Sequence, residues 1–196
     1  MAGDSLALIK ELREATGASL GDIQEAIKNA AGDKAKAMQF LKAKGKSIAE
    51  KKSSRSAKEG IIEAYVHSNN KIGVLVELRC ETDFVAKNNE FKKLARELAL
   101  QIAATNPQFI KPEDIPEEFV LEEKRIFTEQ NQGINKPKQI LDEIIKGKLE
   151  KRWSEICLLK QAHIRNEDIT IEELITEYVA KLGEKIEISR FIRYEI

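Results

Sequence analysis

A chain of 196 residues, 42% hydrophobic and 34% charged, can hold one medium domain or two small ones, each with a core and a solvated surface. Lys plus Arg balances Asp plus Glu at 33 each, which excludes a global field that would recruit nucleic acid or an anionic membrane. No apolar run approaches the roughly 20 residues that span a bilayer, and the sequence shows no basic-then-apolar secretory leader; two isolated cysteines, Cys80 and Cys157, fit a reducing cytoplasm rather than a disulfide framework.

Residues 5–45 read as three short helices. The first carries Leu8, Ile9 and Leu12 on one face and stops at Thr16-Gly17, a glycine cap signal. Ser19 can cap the second, with Asp22 placed as in a capping box, and this helix buries Ile23, Ala26, Ile27 and Ala30. Asp33 can cap the third, which presents Met38, Phe40 and Leu41 before Gly45 ends it. The stretch KSIAEKKSSRSAKEG (46–60) loses hydrophobic periodicity and reads as a solvated linker, so a boundary is expected near residue 55: residues 1–55 as helical head plus linker, 56–196 as a second unit.

The second unit opens with two strand-like runs joined through Ser68-Asn69-Asn70-Lys71, a hairpin connection. In the second run Val74, Val76, Leu78 and Cys80 alternate with Leu75, Glu77, Arg79 and Glu81, as in a sheet packed on one side. Asn88 or Asn89 can cap a helix carrying Phe91, Leu94, Ala95, Leu98 and Ile102. Pro107, Pro112 and Pro116 break the chain before helical segments around 117–131 and 137–160. Thr170 and Glu173 form a capping box for an amphipathic helix that Gly183 ends. A final strand places Ile186, Ile188, Ile192, Tyr194 and Ile196 at one parity; Arg190-Phe191 breaks it, which hints at a bulge or a two-sided edge. The expected class is α+β: a three-helix head, then a small antiparallel three-stranded sheet packed with helices.

Chemistry-bearing motifs are sparse. Gly45-Lys46-Ser47 matches the tail of a phosphate-binding loop, but Phe40 stands where a glycine is required and a helix precedes it instead of a strand. His67 and His163 lack partners at metal-ligand spacing, so no metal site is expected. A nucleophile built on Cys80 conflicts with its place on the apolar face. Lys34, Lys36, Lys42, Lys44, Lys46, Lys51, Lys52, Arg55 and Lys58 form a basic run that could touch RNA phosphates, but no aromatics interleave it to read bases. At the end of the alternating strand stands Thr82-Asp83-Phe84-Val85. Alternation turns Thr82 inward and Asp83 outward, and leaves Phe84 open between core packing and an exposed wedge.

The stretches KELREATGASLGDIQEAIKNAAGDKAKAMQFLKAKG, EGIIEAYVHSNNKIGVLVELRCETDFVAKNNEFKKLA, GKLEKRWSEICLLKQAHI and ISRFIRYEI resemble the elongation factor Ts family across nearly the whole chain. The resemblance implies a ubiquitin-associated-like (UBA-like) helical head and a core that binds elongation factor Tu, a GTPase. It implies guanine-nucleotide exchange, without catalysis of a bond, in the cytoplasm; the alternative is a translation-associated RNA-binding module. Thr82, Asp83, Phe84 and Val85 match the turn that the family inserts near the partner's magnesium site. Leu12, Arg13, Ser19 and Leu20 fall in the N-terminal surface set against the partner's G domain. Here the chain departs from the family: Ser19-Leu20-Gly21 stands for a Gly-Met-Met run, and Ile23-Gln24-Glu25 for Cys-Lys-Lys. No cofactor, metal, direct nucleotide binding, specific nucleic acid or membrane is implied. A single small sheet with an apolar face needs a cover, and similar short members supply it by dimerising, so a homodimer is expected.

Overall fold

The computed structural model describes residues 2–131 and 137–196, and it is an α+β structure. The head comprises α1 (Ala2–Thr16), α2 (Leu20–Asn29) and α3 (Lys34–Lys52). Leu12, Ile23, Ala26 and Ala37 are fully buried between them, closed by Ala30 and Leu41. Ser19 caps α2 by accepting from the Asp22 N–H at 3.2 Å, and Asp33 caps α3 by accepting from the Lys36 N–H at 3.0 Å. Each satisfies one of the donors that the first helical turn leaves unpaired.

The third helix departs from the sequence expectation. It runs through Gly45 to Lys52, so residues 46–52 are helix and not linker. Two physical facts explain this. Lys46, Ala49, Glu50, Lys51 and Lys52 make up most of the stretch and are good helix formers. The row Leu41, Gly45, Ile48, Ala49 also gives the helix a continuous inner face: Leu41 and Gly45 are buried, Ile48 and Ala49 half-buried. At Gly45 an added Cβ would meet the Ala180 Cβ at 3.4 Å, so the glycine lets this helix lie close against a helix of the second unit. Gly45-Lys46-Ser47 is mid-helix and forms no loop.

The second unit is built on a three-stranded antiparallel sheet of β1 (Glu59–Val66), β2 (Ile72–Cys80) and β5 (Ile186–Glu195) in the order β1-β2-β5. Its inner face, Val74, Val76, Leu78 and Cys80, packs on Phe91, Leu94, Leu98 and Ile102 of α5 (Asn89–Thr105) and on Ile171 and Val179 of α8 (Ile171–Leu182). The Thr170–Glu173 capping box forms, and Gly183 ends α8 in the left-handed region at φ 74°. A short turn of helix, α4 (Asp83–Ala86), joins β2 to α5. The α6 (Glu117–Gln130) and α7 (Lys138–Ile156) helices pack together over a satellite core of Ile115, Ile156 and Cys157, and β3 (Ala162–His163) pairs with β4 (Asn166–Thr170) ahead of α8.

The last strand carries a bulge beside Arg190-Phe191, where the break in parity hinted at one. Glu77 pairs with Arg190 and Leu78 with Ile188, leaving Ser189 as the extra residue of a bulge. One inserted residue flips every later side chain to the opposite face. Ile186 and Ile188 therefore point into the core, and after the bulge it is Phe191 and Arg193 that do so. Ile192 (42% exposed) and Tyr194 (67%) join Ile62 (66%), Val66 (63%) and Leu75 (47%) on the outer face. The register sets Leu75 opposite Ile192, and Tyr194 opposite Gly73, so the outer face is a contiguous apolar surface.

Candidate protein-contact site

The turn after β2 is where the chain changes period. Cys80 is the last inward residue of the strand; its thiol is fully buried and donates to the Thr82 carbonyl at 3.2 Å. Burial, with the nearby Glu184 charge adding, pushes the Cys80 thiol up to about 11, and burial does the same to Cys157. A thiol held protonated this far above neutrality is a weak nucleophile.

Thr82 keeps extended backbone angles and caps α4, its side chain accepting from the Val85 N–H at 3.4 Å. From here the side chains follow a helical spacing of about 3.6 residues per turn. Val85 and Ala86, at 5% and 6% exposure, drop into the core and anchor the turn. Asp83 and Phe84 are rotated outward, and Phe84 is 80% exposed. Thr82, expected inward, is exposed instead, because it belongs to the cap rather than to the strand. Leaving a phenylalanine in water forgoes about 1.5–3 kcal/mol of burial energy, which a protein surface closing over the ring would recover.

Asp83 pairs with Lys87 at 2.6 Å across one helical turn, both side chains well exposed. The Lys87 hydrogen bond holds the Asp83 carboxyl below the ordinary carboxylate range. Asp83 is thus ionised at neutral pH and serves as a hydrogen-bond acceptor, not as an acid.

In the head, Arg13, Ser19 and Leu20 are exposed at the corner between α1 and α2, with Leu20 at 47%. Ser19 is engaged as the α2 cap, and its hydroxyl also donates to Asp22 at 2.7 Å. Leu12, expected on this surface, is fully buried: it lies one turn inside the face that closes on Ile23 and Ala26. Leu12 in the head and Val85 in the turn therefore hold their patches in shape from beneath. No hydrogen bond or ion pair joins the head patch to the turn among the described residues.

Several basic residues of 34–58 are occupied. Lys44 is bound to Asp22 at 2.7 Å and Glu25 at 2.6 Å, Lys34 to Glu11 at 2.6 Å and Arg55 to Glu81 at 3.2 Å. Among the described residues no group of three or more metal-ligating side chains occurs, and no helix is long and apolar enough to cross a membrane. One residue escaped the sequence reading altogether. Glu184 lies 102 positions from Thr82 yet hydrogen-bonds the turn, and a lone acid after a glycine cap carries no local signal of that contact.

Fold and site together are those of a recognition protein: a helical head beside an α+β body whose most exposed aromatic ring stands on a capped, core-anchored turn. Comparison with known proteins identifies it further. A family model described as elongation factor TS matches residues 6–196. Elongation factor Ts of Thermodesulfovibrio yellowstonii is 51% identical over 189 residues, covering 96% of this chain and 94% of that protein. The same factor from Syntrophus aciditrophicus is 49% identical over 194 residues (99% and 96%), and that from Carboxydothermus hydrogenoformans 48% identical over 189 (96% and 87%). The chain belongs to the elongation factor Ts family, and so to the translation elongation factors.

Proposed function

We propose that the protein is a cytoplasmic guanine-nucleotide exchange factor that binds elongation factor Tu carrying GDP and speeds GDP release so that GTP can bind. The observation that carries this reading is Phe84, 80% exposed on a turn whose neighbours Val85 and Ala86 are buried. Phe84 wedges between helices of the GTPase, and the ionised Asp83 accepts a hydrogen bond that fixes the approach. Displacing those helices disturbs the contacts around the partner's magnesium ion, and the diphosphate loses its grip. Arg13, Ser19 and Leu20 of the head (residues 1–55) touch the partner's G domain, while residues 56–196 supply the wedge and a dimer contact.

Coupling of this kind is reciprocal. A factor that weakens GDP binding is itself weakened when nucleotide returns, so GTP expels it. No bond is made or broken, and no acid, base or nucleophile is called on. The outer sheet face, with Ile62, Val66, Leu75, Ile192 and Tyr194, supports a homodimer that covers it, since an apolar patch of this kind is costly to leave in water.

Stopped-flow release of a fluorescent GDP analogue from elongation factor Tu tests the reading. Addition of the protein is expected to accelerate release in proportion to its concentration until saturation. A release rate unchanged by micromolar protein would refute it.

A further inference from the structure

We infer that Glu184 is a positioning residue for the exchange reaction: its carboxylate sets the turn that aims Phe84. This rests on the wedge reading of Phe84. Glu184 directly follows Gly183, the left-handed cap of α8. Its Oε2 accepts from the Glu81 N–H at 3.1 Å and the Thr82 N–H at 3.0 Å, and its Oε1 accepts from the Thr82 hydroxyl at 2.7 Å.

These are the groups that need a partner at this point. Pairing between β2 and β5 ends at Cys80 with Ile186, so the next two backbone donors have no strand to bond. A single carboxylate takes both, and such hydrogen bonds to an ionised acceptor are among the stronger ones. It also orients the Thr82 hydroxyl. With its proton directed at Glu184, the oxygen's lone pairs are left for the Val85 N–H that it caps. Thr82 is therefore held at both its backbone and its side chain, and Phe84 stands two residues further along the same turn.

The contact is answered from the other side. Glu81 Oε1 accepts from the Lys185 N–H at 2.6 Å, and Glu81 Oε2 meets Arg55 at 3.2 Å. The Lys185 hydrogen bond, with Arg55 adding to it, holds the Glu81 carboxyl below its usual range. Lys52, at the end of α3, donates to the Gly183 carbonyl. Two adjacent acids, each bonding the backbone beside the other, thus lock the end of α8 to the end of β2, next to the last turn of the head's third helix.

The test is a double-substitution cycle read by GDP release from elongation factor Tu at saturating factor. Glu184→Ala is expected to slow release about tenfold, the scale of losing charge-assisted hydrogen bonds. Glu184→Gln keeps two acceptor bonds and can donate to the Thr82 oxygen, so it is expected to stay within about threefold of the native rate. The decisive variant joins Glu184→Ala to Phe84→Ala. If Glu184 acts through the wedge, the pair is no slower than Phe84→Ala alone.

A Glu184→Ala protein that exchanges at the native rate overturns the inference, and so does a pair whose losses multiply. A Phe84→Ala protein that exchanges normally sinks the wedge reading itself, which is a separate result. Amide hydrogen exchange supplies a readout apart from activity: Glu81 and Thr82 should lose protection in Glu184→Ala while Val76 keeps it. If Val76 is lost too, Glu184→Asp carries the test, since it keeps the charge but stops one methylene short of the turn.

Discussion

Replacing Phe84 with alanine should separate folding from function. The ring is 80% exposed, so only a fifth of it contributes to the folded state. At roughly 1.5–3 kcal/mol for full burial, that fraction is worth a few tenths of a kcal/mol. For a chain of this length such a loss moves the melting temperature by about 1–2 °C. Binding is another matter, because the exposed ring has its whole face left to bury. An aromatic anchor at the centre of an interface is commonly worth about 2 kcal/mol or more, a factor of about 30 in rate or affinity. Thermal unfolding by circular dichroism and stopped-flow GDP release, on the same preparation of Phe84→Ala, read the two effects. The expected pattern is a melt within about 2 °C of the native one beside exchange slowed about 30-fold. Such a melt with native exchange would refute the wedge; a melt lowered by about ten degrees or more would show the ring to be core.

Further outcomes follow from other contacts. Tyr194→Asp puts a charge on the apolar outer sheet face and should convert the proposed dimer to a monomer in sedimentation velocity, while circular dichroism is unchanged. At Gly60 an added Cβ would fall 2.2 Å from the Leu78 carbonyl oxygen and 2.9 Å from the Arg79 Cα, both backbone atoms that cannot yield, so Gly60→Ala should cost about 1–3 kcal/mol in urea unfolding. Glu90, which binds Lys181 at 2.6 Å and Lys93 at 2.7 Å, has its carboxyl lowered from 4.5 to about 2 by these hydrogen bonds, Lys181 first. Between those values the unfolded chain holds the proton and the folded one does not. The pair's stabilisation is therefore complete above about pH 4.5 and disappears as pH falls towards 2. After screening it is worth about 1 kcal/mol, and Glu90→Gln should flatten that part of the stability–pH curve.

Local patterns carried most of the fold. The capping box at Thr170–Glu173, the glycine stop at Gly183, and the alternation that buries Val74, Val76, Leu78 and Cys80 are all decided within a few residues, and all stand in the structure. The end of α3 was misread because Gly45 followed by Lys-Ser reads locally as a stop. What overrides it is Ala180, which closes on that glycine from a helix far along the chain. In the last strand the break in parity at Arg190-Phe191 hinted at a bulge, but which side chains it would turn outward was not legible, for a related reason. A bulge at Ser189 exists only in relation to the partner strand, and it sets Ile192 and Tyr194 on the outer face although they share parity with the inward Ile186 and Ile188.

The same division runs through the candidate site. Alternation by itself buried Cys80 and turned Asp83 outward, and resemblance carried by the Thr82–Val85 stretch marked the turn as a contact. Whether Phe84 faced solvent was undetermined, because a ring at the junction of two periods can follow either one. Tertiary structure decided it: Val85 and Ala86 took the core positions and left Phe84 outside. It also withdrew Leu12 from the head's surface and brought in Glu184 across 102 positions of chain. Periodicity and caps are short-range physics and can be read from neighbours in sequence. A hydrogen bond between distant segments becomes visible only when the chain has closed on itself.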